Sequence, residues 1–305
     1  MKLILKSILT HKYLANFLAL LVTILMLGLT FAYLYGQKTE LDKRHARAFD
    51  VAVEHNYAAI RLRLTEMAVI LRGVKGYFEA SDYVTQKEYH DYFTALALGE
   101  HLSGFQGVAV ATSVSKTNLP RHLEKTLRSG SPNYQIKPSG NRDEYAPISF
   151  IEPYAGNNKN AIGFDLLTNP FVKPALLRAK SSGDLAMTGK LSLVQDEGRF
   201  IPASVMYIPI YDTSKPLTTA FERHNALIGW VSGPFRINDF MSSLSHELLS
   251  DVGVSIYAEE GESVESRIYG KKHDPEASKG HLKFNKVKTL EYGVAKWVHD
   301  MHKLP

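Results

Sequence analysis

Asn160-Ala161-Ile162-Gly163-Phe164-Asp165-Leu166-Leu167 sets one carboxylate inside an apolar, strand-like run. Asp165 stands between Phe164 and Leu166, and a carboxylate turned inward there must find donors. Two readings are open. The side chain can orient a polar ligand that offers N–H groups, or it can cap the turn that follows, a common use of Asp. Outward from this stretch, residues 108–111, 134–137, 146–151, 191–194 and 203–211 read as strands, and 119–128 and 174–181 as helices. Pro174 suits a first helical position. The polar segment 216–225 reads as a boundary. Beyond it, strands over 228–231, 254–258, 266–269, 281–284 and 294–300 and a helix over 238–250 form a second, smaller α/β unit.

Upstream, residues 13–37 carry no charge, and 14–34 are interrupted only by Asn16, Thr23, Gly28 and Thr30. A bilayer core of ~30 Å needs ~20 apolar helical residues, and this run supplies them. Lys2, Lys6, Lys12 and His11 precede it, whereas 38–44 mixes both signs. The positive-inside rule therefore places the N-terminus in the cytoplasm and the remainder outside the inner membrane, crossed once. A cleaved signal peptide would have a run of ~7–15 residues ending in small side chains. Phe31-Ala32-Tyr33-Leu34-Tyr35 is too bulky for that, so the segment reads as an uncleaved anchor. Residues 38–80 then read as one helix. Phe49, Val53, Tyr57, Ile60, Leu64, Met67, Leu71, Val74 and Phe78 recur at a spacing of three or four along one face. Such a stripe can pair with a second copy or pack on its own downstream domain. Thr85 is an N-cap candidate for a helix over 86–98.

Composition excludes several classes. The net charge of +5 draws three charges from Lys2, Lys6 and Lys12, so the remainder is nearly neutral and shows no nucleic-acid footprint. With no cysteine, a disulfide framework, a thiol nucleophile and a cysteine zinc site are all excluded. His299 and His302 are three apart, but no H-E-x-x-H occurs, and the histidines read as solvated or core residues rather than metal ligands. No G-x-S-x-G elbow and no glycine-rich phosphate loop is present. Asn141-Arg142-Asp143-Glu144 reads as a solvated loop, and its adjacent carboxylates do not make a pair flanking a bond. Neither a catalytic residue nor a cofactor is expected.

Several stretches in order resemble the CHASE domain, the extracellular sensor of many membrane histidine kinases and cyclases. They are Gly76-Tyr77-Phe78-Glu79-Ala80-Ser81, Gly104-Phe105-Gln106-Gly107, Arg142-Asp143-Glu144-Tyr145-Ala146-Pro147-Ile148 and the opening stretch 160–167. Met187-Thr188-Gly189, Leu193-Val194-Gln195 and Tyr207-Ile208-Pro209-Ile210-Tyr211 follow. The chain departs from the family pattern at Pro170-Phe171-Val172-Lys173-Pro174, which lacks the family's arginines, and at Ser182-Gly183, where the family has threonine-glycine. The resemblance implies an α+β architecture: a cytoplasmic N-terminus (1–12), a transmembrane helix (13–36), a helical stalk with a following helix (37–100), and two PAS-like α/β lobes with antiparallel sheets. The distal lobe (101–220) would hold a small ligand, and the proximal lobe (221–305) would lead to a second membrane helix and a kinase or cyclase. This chain stops at Pro305 before any such segment, as a piece of a longer receptor or as a stand-alone sensor.

The resemblance also assigns candidate ligand-binding residues. In the plant cytokinin receptors of the family, the aspartate corresponding to Asp165 bonds the ligand's adenine ring. Met187 borders the pocket by the same carry-over, with ordinary core packing as its alternative. Tyr145, Phe150, Leu167, Val205 and Tyr207 lie on or beside strands that should wall the lobe, each as core or as lining. Thr188 adds a hydroxyl or serves a turn. The expected partners are a small organic ligand (adenine-type or otherwise nitrogenous), the membrane and a second copy in a homodimer. The rival reading is an interaction module that binds another protein and keeps its pocket closed.

Overall fold

The computed structural model describes residues 2–97, 104–131, 133–193, 196, 199–250, 252–258, 266–270, 284–292 and 295–303. Its longest element is the helix α1 (Lys2–Glu79). Two compact units divide at Ala52. In the first, every described side chain from Asn16 to Tyr35 faces outward, an arrangement that suits lipid. This is the one helix among the described residues long and apolar enough to cross a membrane.

The second unit, Val53–Pro305, is built of antiparallel sheets and helices. Its larger sheet has the strand order β4-β1-β7-β6-β5. The strands are β1 (Val108–Thr112), β4 (Ile148–Glu152), β5 (Ala186–Met187), β6 (Ala203–Tyr211) and β7 (Leu227–Arg236). A two-stranded ribbon, β2 (Val114–Ser115) with β3 (Glu144–Tyr145), flanks it. The smaller sheet, in the order β10-β11-β8-β9, holds β8 (Val252–Ala258), β9 (Arg267–Tyr269), β10 (Asn285–Tyr292) and β11 (Ala295–Lys303). The boundary expected at 220/221 is therefore displaced. β7 pairs with β1 and β6 at the centre of the five-stranded sheet, so residues 227–236 belong to it. The polar segment 216–225 is not a linker but leads into a helix, α6 (Ala220–Ala226), started by a capping box between Thr219 and Glu222.

The apolar stripe of α1 is spent on its own domain. Ile60, Leu64, Met67, Leu71 and Val74 are buried. They join one core with Val108, Val110, Met206, Ile208 and Phe235 of the five-stranded sheet and with Ile256, Leu290 and Trp297 of the four-stranded sheet. A second core lies on the opposite face of the five-stranded sheet. There α4 (Asn158–Ala161), the 3-10 turn Leu166–Thr168 and α5 (Lys173–Ser182) cover Ala109, Ile148, Val205, Tyr207 and Trp230.

Between these elements, α2 (Gln86–Ala95) starts at Thr85, whose hydroxyl accepts from the Glu88 N–H. α3 is Leu119–Arg128. The expected helix over 238–250 is shorter, α7 (Ile237–Ser243). The segments 134–137 and 191–193 are not strands; Lys137 and Leu191 make isolated bridges, to Phe164 and Ala203. Val194 and the expected strand residues 281–283 lie outside the described residues.

Candidate functional site

Alternation along each strand divides the sequence candidates between two faces. On β6, Val205 and Tyr207 point into the second core, while Met206 and Ile208 point to α1. Register carries the division across strands. Ala186 lies opposite Tyr207, and Met187 opposite Met206. Met187 is thus buried on the α1 face. Phe150 lies there too, with its ring 5.3 Å from Phe78 and 5.5 Å from Tyr89.

The cavity lies under the other face. Ala109, Val205, Tyr207 and Ser232 form its floor; Leu166, Asn169 and Val172 are among the roof residues. Its volume is about 40 Å³, the space of a water molecule or a small group. None of its lining side chains is charged. Ser232 Oγ donates to the Ala109 carbonyl at 3.2 Å, and Asn169 Oδ1 accepts from the Phe171 N–H at 3.0 Å. The Tyr207 hydroxyl has no hydrogen-bond partner among the described residues, although the residue is 2% exposed. Burial raises its pKa well above the ordinary tyrosine value.

Asp165 is enclosed beside this cavity, and its carboxylate is met from within the chain. Oδ1 accepts from the Ala146 N–H at 2.8 Å and the Leu167 N–H at 3.1 Å. Oδ2 accepts from Arg142 Nε at 2.9 Å. The side chain thus caps the turn 166–168 and ties it to β3 and the loop before it. Gly163 makes this approach possible. Its φ is +79°, and a Cβ there would lie 1.9 Å from the Gln135 carbonyl oxygen. Leu167 is half-buried beside the roof residue Leu166.

Tyr145 and Thr188 are engaged elsewhere. The Tyr145 hydroxyl donates to the Gly140 carbonyl and accepts from the Arg142 N–H, and its ring carries the Arg142 guanidinium at 4.8 Å. Thr188 Oγ1 accepts from the Val205 N–H, and the Thr188 carbonyl accepts from Ser204 Oγ, which staples β5 to β6. Of the eight candidates, Val205 and Tyr207 line the cavity, and Leu167 and Asp165 support its roof. Ala109, Leu166 and Ser232 were missed. The alternation Val108-Ala109-Val110-Ala111 was the available signal, because it sets a large face against a small one.

The largest hollow lies elsewhere, about 850 Å³ between α2 and the segments 130–137 and 152–162. Its rim lysines Lys87, Lys137 and Lys159 are exposed. Its buried carboxylate, Glu152, already accepts from the Tyr154 N–H and pairs with His90 Nδ1 at 3.0 Å. Among the described residues no group of three or more His, Asp or Glu side chains could hold a metal ion.

The family model for the CHASE domain matches residues 82–269. The chain belongs to the CHASE domain family. That family is a sensor-domain family; the cavity and the five-stranded sheet fall within the matched range, whereas β10 and β11 of the four-stranded sheet lie beyond it. Among curated relatives, Hybrid signal transduction histidine kinase A of Dictyostelium discoideum is 23% identical over 174 residues, 52% of this chain and 8% of that protein. Probable histidine kinase 3 of Oryza sativa subsp. japonica is 29% identical over 165 residues, 52% of this chain and 14% of that protein. The matched CHASE region thus spans a small fraction of these relatives. Among solved structures, the ligand-binding domain of the Pseudomonas aeruginosa amino acid chemoreceptor PctC in complex with GABA has a TM-score of 0.47 and 11% identity, covering 84% of this chain and 99% of that one. Methyl-accepting Chemotaxis protein X has a TM-score of 0.45 and 14% identity, covering 85% and 98%.

Proposed function

We propose that this CHASE chain is a single-pass membrane sensor whose extracytoplasmic part takes a small organic ligand into the cavity over β1, β6 and β7. The observation that carries the reading is an uncharged cavity under the five-stranded sheet, walled in part by Tyr207, whose hydroxyl makes no hydrogen bond to the described residues. A wall hydroxyl that bonds nothing in the chain is free to donate to or accept from a complementary polar atom of a ligand. A nitrogenous, uncharged compound of the adenine type has that character, but it exceeds the 40 Å³ space and would enter only by lifting the 163–168 roof. Asp165 acts one step back, holding the 163–168 roof, and Val205 and Leu167 shape the enclosure. Phe150, Met187, Thr188 and Tyr145 set the frame rather than touch the ligand.

Transmission follows from the two-faced strands. A ligand that lifts the roof or presses on Tyr207 also moves Met206 and Ile208, which grip α1. The antiparallel sheet with its helices over a cavity supports reading this part as a PAS-like lobe, with the four-stranded sheet as the proximal one. The relatives named as histidine kinases support an output module of that kind in a longer parent chain. A homodimer would couple two α1 helices through surfaces other than the buried stripe. A ligand shifts the assembly only by its differential affinity for two accessible states.

The test is a thermal-shift screen of the full chain in nanodiscs against adenine derivatives, other nitrogenous metabolites and short peptides. A ligand at 100 times its Kd adds ~2.7 kcal/mol to the folded state. Ala109→Val, which fills the floor, should abolish that shift, and Tyr207→Phe should weaken it. A flat screen of well-folded protein favours the interaction module. Phe171 and Phe200, which stay exposed beside the roof, would be its docking residues.

A further inference from the structure

His299 is a buried titratable group that the cavity does not use. It stands on β11 between Trp297 and Met301, is fully enclosed, and has no hydrogen-bond partner at either ring nitrogen. Buried imidazoles normally donate one N–H and accept at the other nitrogen. The surroundings here are apolar or cationic. α1 presents Tyr57 edge-on, with ring centroids 6.0 Å apart, and Trp297 lies 6.4 Å away on the same strand. β8 sets Ile256 opposite His299, and β10 sets Lys288 opposite. Lys288 Nζ lies 5.3 Å over the Tyr57 ring and 2.7 Å from Glu54 of α1. Lys286 is 3.7 Å from the same carboxylate. The carboxylate that α1 brings to this corner is therefore already shared by two lysines.

An imidazolium formed in the seated structure would have no acceptor and would be sealed from water. Against that strain, α1 is tied to β10 by two hydroxyl hydrogen bonds, Tyr57 to the Thr289 carbonyl at 3.3 Å and Tyr292 to the Leu64 carbonyl at 3.0 Å. We infer that His299 makes this joint an acid sensor: protonation of its ring releases residues 53–64 of α1 from β10 and β11, a proton input separate from the ligand cavity.

The sign follows from burial, which lowers the ring's pKa from 6.5 to about 4. The neutral ring belongs to the seated state, and a released ring regains the higher value. Seating is therefore fully favoured above pH 6.5 and is lost progressively as pH falls toward 4. At pH 5 the balance shifts toward release by roughly 30-fold. His122 is also lowered to about 4, by burial and then by Lys125, but its Nε2 has the Tyr134 hydroxyl at 2.9 Å. It serves as the control.

The absence of native cysteine makes the experiment direct. Ala58→Cys on α1 and Val287→Cys on β10, both exposed positions, accept spin labels in the full chain in phospholipid nanodiscs. Pulsed electron resonance then reads their separation from pH 8 to pH 4.5. A longer, reversible distance population should grow below pH 6.5, persist in His122→Gln and vanish in His299→Phe. An unchanged distance in the unmodified background overturns the inference, as does the same change in His299→Phe. If His299→Phe does not fold at pH 8, ¹³C-labelled histidine in the otherwise native chain decides. A ring signal that titrates together with the distance change, in His122→Gln as well, supports the sensor; a distance change with no such signal overturns it.

Discussion

The two faces of the five-stranded sheet are made from the same strands and behave as different materials. Toward α1 stand Val108, Val110, Met187, Met206, Ile208 and Phe235, large side chains interlocked with the helix stripe. Toward the cavity stand Ala109, Ala111, Ala186, Ala203 and Ser232, with Val205 and Tyr207 among them. Close packing on the first face leaves little slack, so displacement is passed on rather than absorbed. Small residues on the second face cannot fill the gap beneath α4 and the segment 166–172, and the gap is the cavity. Position in the pleat, rather than position in the chain, decides which residues face the cavity and which face α1.

Four substitutions sharpen or break this contrast. The largest loss should come from Asp165→Ala, which strips an acceptor from two backbone N–H groups and the Arg142 guanidinium. Removing one partner of such a buried set costs about 3–5 kcal/mol, to be read from urea unfolding of the full chain. A loss below ~1 kcal/mol would mean the roof does not depend on this cap. On the α1 face, Met206→Ala should cost about 3 kcal/mol, because a fully enclosed side chain leaves a new void. Its neighbour Val205→Ala should cost only about 1.5 kcal/mol, the transfer contribution alone, since a hollow already adjoins it. Equal losses at 205 and 206 would erase the distinction between the faces. The smallest change belongs to Tyr207→Phe, within ~0.5 kcal/mol, because no hydrogen bond is surrendered. A penalty well beyond that in the same unfolding curves would reveal a structural partner for the hydroxyl and remove the main support for ligand binding.

Much of the architecture was legible where the signal is local. The uncharged run 13–37, the spacing of the α1 stripe, the Thr85 cap and the apolar strands β1 and β6 each declare themselves within a few residues. What could not be read was pairing at a distance. β7 begins with Leu227, yet it pairs with β1 more than a hundred residues earlier, and nothing in 227–236 announces that neighbour. The Thr219–Glu222 capping box was readable, but the polar character of 216–225 masked it. The site was half legible. Asp165 stood out as a carboxylate in apolar company, yet the donors that meet it come from Ala146 and Arg142, about twenty residues away. Met187 and Phe150 lie on strands of the cavity-bearing sheet, but only the register shows that they face α1.

The alternation along β6 has a consequence for how such receptors can diversify. Positions 205 and 207 line the cavity; positions 206, 208 and 210 meet the core that holds α1. If the proposed function holds, taste and voice are written on alternate letters of one strand, and a lineage can retune what it detects by changing every second residue without rewriting how it reports. An engineer can do the same, grafting a new floor onto an untouched transmission.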